Sequence, residues 1–233
     1  MKIRHLFLIV VSILPVTTRG DFTIVQKVEG VGPLNQITTK LKGDKANVEV
    51  SPETTMIIDS KSGEMLTVLN GQKKFLRVSG ENYRAIAELI NKNRESSAAA
   101  AKPKLTPTGK KETINGYETE EYVRESGDTS DSYWIALKLP ESAAILKQLQ
   151  AMIPAALNNI AKGIFDFGDF PGLPIRTIIK KNGSEIISTI TSIKRDPLSD
   201  AEFSVPKDFQ EIKTPGLKEV LSRKPPRAPS TNP

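Results

Sequence analysis

The stretch "KANVEVSPETTMIIDSKSGEMLTVLNGQKKFLRVS" (residues 45–79) decides the fold. Its four short apolar segments are separated by Pro52, by Ser62-Gly63 and by Asn70-Gly71. Apolar and polar residues alternate within the segments, as they do in half-buried strands. Short strands at a spacing of roughly ten residues, with turn residues between them, are typical of an antiparallel meander.

The pattern extends toward the N-terminus and then changes. "DFTIVQKVE" (21–29) and "QITTKLKG" (36–43) have the same alternation, so six strands are predicted before any helix. "ENYRAIAELINKNRESSAAAA" (81–101) then shows helical periodicity, with Ser79 as its N-terminal cap. The Pro-containing segment 102–109 is predicted to be a linker.

The second half begins with "TINGYETEEYV" (113–123), in which Asn115-Gly116 is a strong hairpin signal. A further strand is predicted over 131–139, around the single Trp of the chain. Residues 175–195 are rich in Ile and Thr and predict a long hairpin with Asn182-Gly183 at its turn.

A helical stretch is predicted over 140–165, between the strands of the second half. Pro140 would stand in its first turn, and Pro154 would kink or split it. The residues expected to face the sheet are Ala143, Leu146, Leu149 and Ile153. The aromatic and glycine-containing loop 166–174 follows, and it suits either a lid or a loop packed on the core.

The order of these elements predicts an α+β fold. We expect a large, curved antiparallel β-sheet, in the form of an incomplete barrel, with two or more helices packed on its concave face. Residues 21–212 would form this as a single domain, and the Pro-rich tail 213–233 has the composition of a disordered end.

The first twenty residues predict export. "MKIRH" is basic, "LFLIVVSILPV" (6–16) is apolar, and "TTRG" (17–20) is small or polar, which is the order of a secretory signal peptide. The apolar run is shorter than the roughly 20 residues that span a bilayer. Cleavage after Gly20 would leave a mature chain beginning at Asp21, located in the periplasm or secreted. An uncleaved N-terminal anchor is the alternative.

The positive charge of the chain belongs to its ends. Removal of residues 1–20 would leave 30 basic residues against 27 acidic ones. The tail 213–233 contains five basic residues and one acidic residue, so the domain itself is close to neutral. A nucleic-acid-binding face is therefore not expected, whereas the tail could contact an anionic surface or an envelope protein.

The chemistry that the chain lacks excludes several enzyme classes. His5, within the predicted signal, is the only histidine, and there is no cysteine. Thiol nucleophiles, Ser-His-Asp triads and ordinary zinc sites are thereby excluded. No catalytic, cofactor-binding or metal-binding residue is predicted. The carboxylate pairs in "DTSD" (128–131) and "DFGD" (166–169) leave a metal site or a two-carboxylate hydrolase open, although solvated loops suit them better.

Several motifs resemble one bacterial family. "INGYETEEY" (114–122), "YWIA" (133–136), "FPGLPIR" (170–176) and "DAEFSVPKDF" (200–209), in this order, are similar to the family called domain of unknown function 4412. Residues 46–78 resemble the N-terminal half of that family. The resemblance covers most of residues 22–210. It implies an uncharacterised family whose fold is similar to that of the periplasmic lipoprotein carriers (LolA/LolB-like).

That resemblance implies a cavity for an acyl chain or another apolar ligand. The leading hypothesis is a non-enzymatic envelope protein that binds a lipid or a lipoprotein acyl chain between sheet and helices. The candidate lining residues, for which plain core packing is the alternative, are Phe22, Ile24, Met56, Ile58, Tyr83, Ile86, Trp134, Leu146 and Leu149. The other hypotheses are an interaction or assembly protein that uses strand edges or the basic tail, and a carboxylate-dependent hydrolase.

Overall fold

A computed structural model describes residues 20–82, 104–126, 129–153, 167–181 and 183–213. In these residues, twelve strands form one sheet in the order β12-β6-β5-β4-β3-β2-β1-β11-β10-β9-β8-β7. The strands are β1 (Phe22–Val31), β2 (Leu34–Lys42), β3 (Lys45–Ser51), β4 (Thr54–Asp59), β5 (Glu64–Leu69), β6 (Lys74–Val78), β7 (Thr106–Ile114), β8 (Tyr117–Ser126), β9 (Thr129–Ala136), β10 (Leu173–Lys181), β11 (Ser184–Lys194) and β12 (Gln210–Glu211).

The sheet consists of two meanders joined by the pairing of β1 with β11. Strands β1 to β6 form the first meander, and the six predicted N-terminal strands are thereby confirmed. Strands β7 to β11 form the second, in which neighbours are also antiparallel. The two-residue strand β12 adds to β6 in parallel orientation. The edges β12 and β7 do not pair with each other, so the sheet is open.

The predicted Asn-Gly turns differ in geometry. Asn115 and Gly116 have φ values of 50° and 85°, and Ile114 pairs directly with Tyr117, as in a two-residue hairpin. Asn70 and Gly71 instead begin a 3-10 turn (Asn70–Gln72), which ends at Lys73 with φ 50°. The β5–β6 hairpin therefore forms with a four-residue loop. Asn182 lies outside the described residues.

The second meander curls toward the centre of the sheet. Asn115, at the β7–β8 turn, donates from Nδ2 to the carbonyl oxygen of Ile190 in β11 at 2.8 Å. In a flat sheet, β8 would lie about 14 Å from β11, because three strand spacings separate them. Arg176 in β10 similarly reaches Glu112 in β7 at 3.1 Å. The curvature expected of the sheet is present in this half.

Two apolar clusters hold the described residues together. The main cluster joins both meanders to the helix α1 (Ser142–Met152) through buried residues that include Phe22, Leu41, Ile145 and Ile175. A smaller cluster on β4 to β6 contains Ile57, Leu66, Val68 and Phe75, with Val205 and Phe209 packed against it. The segment after β11 thus covers a second part of the sheet.

The buried face of α1 differs from the predicted one. Ala143 is exposed, whereas Ile145, Leu146, Gln148 and Met152 are buried. The rotation of the helix is set by the buried Ser142, whose Oγ accepts from the backbone nitrogen of Leu173 at 3.2 Å. This contact turns the first helical residue toward β10, and the buried stripe follows from it by the 3.6-residue period.

The described part of the fold is mostly β, and most of residues 81–101 and the second half of 140–165, where helices are predicted, lie outside the described residues. Helix α1 begins at Ser142, so Pro140 precedes it, and ends at Met152, since the extended Ile153 stands before Pro154. Of the helix predicted over 81–101, only the start lies in the described residues, with Ser79 Oγ accepting from the nitrogen of Asn82 at 3.3 Å. The packing of two helices on a concave face stays a prediction.

The predicted linker 102–109 is partly strand. Strand β7 begins at Thr106, and its first residues pair with Val123 and Tyr122. Pro107 is tolerated because β7 is an edge strand, where a missing N–H costs no ladder bond. In the described residues, no helix has the length and apolar character needed to cross a membrane.

Candidate ligand groove beside the helix

A groove of about 590 Å³ lies between α1 and the aromatic loop that precedes β10. We call it the main groove, and its size is within the range of small-molecule sites. Its apolar wall consists of Ala143, Leu146, Ala151, Ile153, Phe167 and Phe170. Its polar side chains are Ser60, Lys147 and Gln150. An apolar wall with a few polar groups is the usual composition of a binding site.

The aromatic loop is fixed against the core. The backbone nitrogen of Phe167 donates to Gln150 Oε1 at 2.9 Å, which connects the loop to α1. The Phe170 ring meets that of Tyr133 edge to face, with centroids 5.0 Å apart. Both Phe side chains also pack against the main cluster. Of the two interpretations of this loop, the described residues favour the one in which it is packed on the core.

Tyr133 is held by charged neighbours behind this wall. Its hydroxyl donates to Asp131 Oδ2 at 3.1 Å, and Arg124 binds the same oxygen at 2.8 Å. The Arg124 guanidinium also lies 5.3 Å from the centre of the Tyr133 ring. Burial raises the pKa of Tyr133 well above its usual value, so the hydroxyl stays neutral. These contacts position the ring on which Phe170 packs.

A second groove, of about 350 Å³, lies along the neighbouring face of α1. Lys147 and Ala151 line both grooves, whereas Ala144 and the buried Gln148 line only the second. Phe22 and Gly20, at the start of the described chain, form its opposite side. Helix α1 is therefore the partition between an apolar groove and a more polar one.

Two further grooves are lined mainly by polar side chains. One, of about 680 Å³, lies among the turns that join β1 to β2 and β3 to β4 and includes Asn35, Glu49 and Glu53. The other, of about 360 Å³, lies on β7 to β9 beside Lys111 and Glu118. Neither has an aromatic wall, so the main groove is the better candidate for an apolar ligand.

Most of the predicted lining residues that the structure describes lie in or against the core rather than in the main groove. Phe22, Ile24 and Leu146 are buried in the main cluster, and Ile58, Trp134 and Leu149 pack against it. Only Leu146 among them also lines the main groove. Met56 is half-buried on β4, and Tyr83 and Ile86 lie outside the described residues. The role of these residues in binding stays a prediction.

Sequence reasoning missed the residues that shape the main groove. No sequence pattern marked Ala151 as part of a groove, and Ala143 was expected to face the sheet. Phe167 and Phe170 were noted as part of an aromatic loop, but its position against α1 could not be inferred. The only feature of the sequence that could have indicated this groove is a helical face of small residues followed by an aromatic loop.

The two carboxylate pairs that the sequence left open are only partly described, because Asp128 and Asp166 lie outside the described residues. In that part of the chain, no group of three or more His, Cys, Asp or Glu could hold a metal ion. Burial alone would raise the pKa of Glu121, but hydrogen bonds from Ser132, Lys110 and Thr108 outweigh it and hold this pKa below its usual range. A glycosidase acid needs a raised pKa, so Glu121 does not suit that role.

Solved structures with low similarity to this chain include three that cover most of it. PNGF-II is 16% identical with a TM-score of 0.40, over 79% of this chain and 30% of that chain. Lipoprotein LppX from Mycobacterium tuberculosis is 11% identical with a TM-score of 0.39, over 77% of this chain and 88% of that chain. LprF from Mycobacterium bovis is 16% identical with a TM-score of 0.34, over 82% of this chain and 91% of that chain. These likenesses are too low to support an argument.

Most of the chain matches one family of proteins. No curated protein matches the sequence. A family model described as "Domain of unknown function (DUF4412)" matches residues 34–209. This range extends from β2 to the segment after β11 and includes the motifs that suggested the resemblance. Because the match covers well over half of the sequence, the chain belongs to the DUF4412 family.

Proposed function

We propose that this chain is an exported, non-enzymatic protein that binds the acyl chain of a lipid or lipoprotein in its main groove. The observation that carries the proposal is the apolar wall of that groove, formed by Leu146, Ile153, Phe167 and Phe170. The lack of His and Cys after residue 5 supports a binding role over a catalytic one. The predicted signal peptide supports a location in the cell envelope.

The main groove suits a narrow ligand. Ala143 and Ala151 are exposed on α1, and their small side chains leave room that larger residues would fill. The wall opposite them is formed by Phe167 and Phe170, whose positions are fixed by Gln150 and Tyr133. A preformed apolar groove loses little entropy when it binds an acyl chain, which favours binding.

Lys147 favours a negatively charged head group. It lies in the wall of the main groove, and no ion pair joins it to a carboxylate in the described residues. An amphiphile whose chain occupies the apolar wall could place a carboxylate or phosphate beside this ammonium. The occupant that we propose is therefore an acyl chain with an anionic head.

Filling the main groove should weaken ligand binding without unfolding the protein. Ala143→Trp would place a large ring in the groove, and we expect about a tenfold loss in binding of a fluorescent fatty acid. Because Ala143 is exposed, its replacement should change the free energy of unfolding by only about 0.5 kcal/mol. Native mass spectrometry of the purified protein would report the retained lipid.

Ala144→Trp is the matched control. Ala144 is also exposed on α1, but it lines the second groove rather than the main one. Ala144→Trp should keep fatty-acid binding within about twofold of the wild-type value, since an exposed substitution away from a site has little effect. Equal binding by the two variants would contradict the assignment of the main groove, and loss in Ala144→Trp alone would move the site to the second groove.

Reversing the charge of Lys147 should discriminate between head groups. An exposed charge pair contributes about 0.2–1 kcal/mol, so Lys147→Glu should weaken fatty-acid binding by up to about fivefold. Binding of the uncharged methyl ester of the same chain should not change. Lys207→Glu, an exposed change in the segment after β11, serves as the control in the same titration. A parallel loss for acid and ester would contradict a head-group contact.

The alternative of strand-edge interaction has an observation against it. In the edge strand β7, residues Thr106 to Thr113 are exposed. The strand contains Pro107, Lys110 and Lys111, with a register shift between Pro107 and Lys111. Proline, lysine and irregular pairing are features that prevent a sheet edge from adding another strand. The basic tail from residue 214 lies outside the described residues, and its partner stays a prediction.

A further inference from the structure

Gln148 has an unusual environment in the second groove. Its side chain is only 6% exposed, and Nε2 donates to the carbonyl oxygen of Gly20 at 3.0 Å. The other end of the amide, Oε1, is buried and has no hydrogen-bond partner in the described residues. Because buried polar atoms are nearly always hydrogen-bonded, we expect Oε1 to have a hydrogen-bond donor in the mature protein.

The amide lies at the predicted cleavage point. Gly20 is the last residue of the predicted signal peptide, so its carbonyl would leave and Asp21 would gain an α-ammonium group. The Gly20 oxygen and the Asp21 nitrogen are bonded to the same carbon and are about 2.2 Å apart. The Asp21 nitrogen therefore lies within about 5 Å of Gln148 Nε2. A rotated amide could accept from it if the Gln148 side chain moved by up to about 2 Å into the space that Gly20 leaves.

We propose that signal removal converts Gln148 into a binding site for the α-ammonium group of the mature chain. In the precursor, Nε2 is bonded to Gly20 and Oε1 lacks a donor. In the mature protein, Nε2 loses that acceptor and Oε1 receives the new N–H donors of Asp21. The ligand class is a primary ammonium, and the occupant is the chain's own N-terminus.

The residues next to the cleavage point keep the ammonium in place. Asp21 Oδ2 accepts from the backbone nitrogen of Leu198 at 2.9 Å. Phe22 is 2% exposed and pairs with Leu41 in the sheet. Chain termini usually fray unless such contacts tie them down. The position of the new amine is therefore set by neighbours that cleavage does not remove.

The charges of the second groove permit an ammonium there. Two carboxylates, Asp44 and Glu141, and two bases, Lys147 and Arg195, line it. The carboxylate of Asp21 adds a negative charge beside its own amine. Gly20 is packed tightly, since a Cβ on it would lie 2.9 Å from Arg195 Nε. Its departure would leave additional space around Gln148.

The first experiment determines the mature N-terminus. Full-length protein is expressed in a host that exports it, and the intact mass and N-terminal sequence of the secreted form are measured. We expect a chain beginning at Asp21. Any other mature N-terminus would overturn the proposal.

The second experiment tests the contact itself. The mature protein is compared with its Nα-acetylated form, in which the acetyl carbonyl takes the position of the Gly20 carbonyl and Oε1 again lacks a donor. Acetylation would exchange a charge-assisted hydrogen bond from the ammonium to Oε1 for a neutral one from Nε2 to the acetyl oxygen, and this weaker bond should lower the melting temperature by about 2–4 °C. Gln148→Met, which has similar length but no hydrogen bonds, should remove this difference between the two forms. The exposed Gln72→Met should retain it.

A second variant keeps the proposal testable if Gln148→Met does not fold. Gln148→Glu keeps an acceptor and adds a charge, so acetylation should lower its melting temperature by more than it does in the wild type. Equal effects of acetylation in the wild type, Gln148→Met and Gln148→Glu would overturn the proposal. So would a wild type whose melting temperature does not respond to acetylation. These results do not depend on ligand binding in the main groove.

Discussion

Gly30→Ala should lower the free energy of unfolding by about 2–5 kcal/mol, as the sum of backbone strain and overpacking. Gly30 has φ +85°, a conformation that an L-residue adopts only at a cost. A Cβ at this position would also lie 2.0 Å from the backbone oxygen of Glu185 in β11. A backbone atom cannot move aside as a flexible side chain can. The clash would therefore be relieved only by separating β1 from β11.

The location of this clash makes the effect large. In the described part of the sheet, the β1–β11 ladder is the only strand pairing that joins the first meander to the second. Urea-induced unfolding followed by circular dichroism would measure the change. A reduced m-value as well as a reduced midpoint is expected if the two meanders separate before either unfolds, because the transition would no longer be two-state.

Gly116→Ala separates the two contributions. Gly116 also has φ +85°, but nothing lies within 4 Å of a Cβ placed on it. The Gly116→Ala variant should therefore lose only about 1–2 kcal/mol of unfolding free energy, which is the contribution of backbone strain. Equal losses in Gly30→Ala and Gly116→Ala would show that the contact with Glu185 contributes nothing.

Local patterns predicted the strands well because strand residues alternate wherever one face is buried. The meander over 45–79 and the Asn115-Gly116 turn needed no knowledge of distant residues. In "EGVGPL" (29–34), the two glycines and Pro33 indicate a turn and nothing more. The close approach of Gly30 to Glu185 joins residues far apart in the chain, and nothing near Gly30 encodes its partner.

The main groove could not be predicted for the same physical reason. Helical periodicity identified a helix around Leu146, but the face that it buries depends on the contact of Ser142 with Leu173. Ala143 was therefore assigned to the wrong face. The wall formed by Phe167 and Phe170 depends on Gln150 and Tyr133, which come from other elements. Among the candidate lining residues that the structure describes, only Leu146 also lines the main groove, and its role in binding stays a prediction.

Gly172→Ala should reduce both stability and ligand binding. Gly172 stands just before β10, in the "FPGLPIR" motif. A Cβ there would lie 2.3 Å from the backbone oxygen of Ala136 and 2.9 Å from its carbonyl carbon. Overpacking of this kind costs about 1–3 kcal/mol. Because no positive φ is involved, the whole effect would come from the close approach of the two chain segments.

The binding defect should arise because the same segment positions α1. Leu173, the residue after Gly172, donates to Ser142 Oγ, and Ser142 Oγ in turn contacts the oxygen of Ala136. Displacement of Gly172 would shift the first turn of α1 and with it the wall of the main groove. We expect fatty-acid binding to fall about tenfold at temperatures where the variant is still folded, since misplaced walls lose packing contacts. Gly71→Ala is the control, because a Cβ on Gly71 meets nothing within 4 Å. Normal binding by a folded but destabilised Gly172→Ala would show that the groove does not depend on this contact.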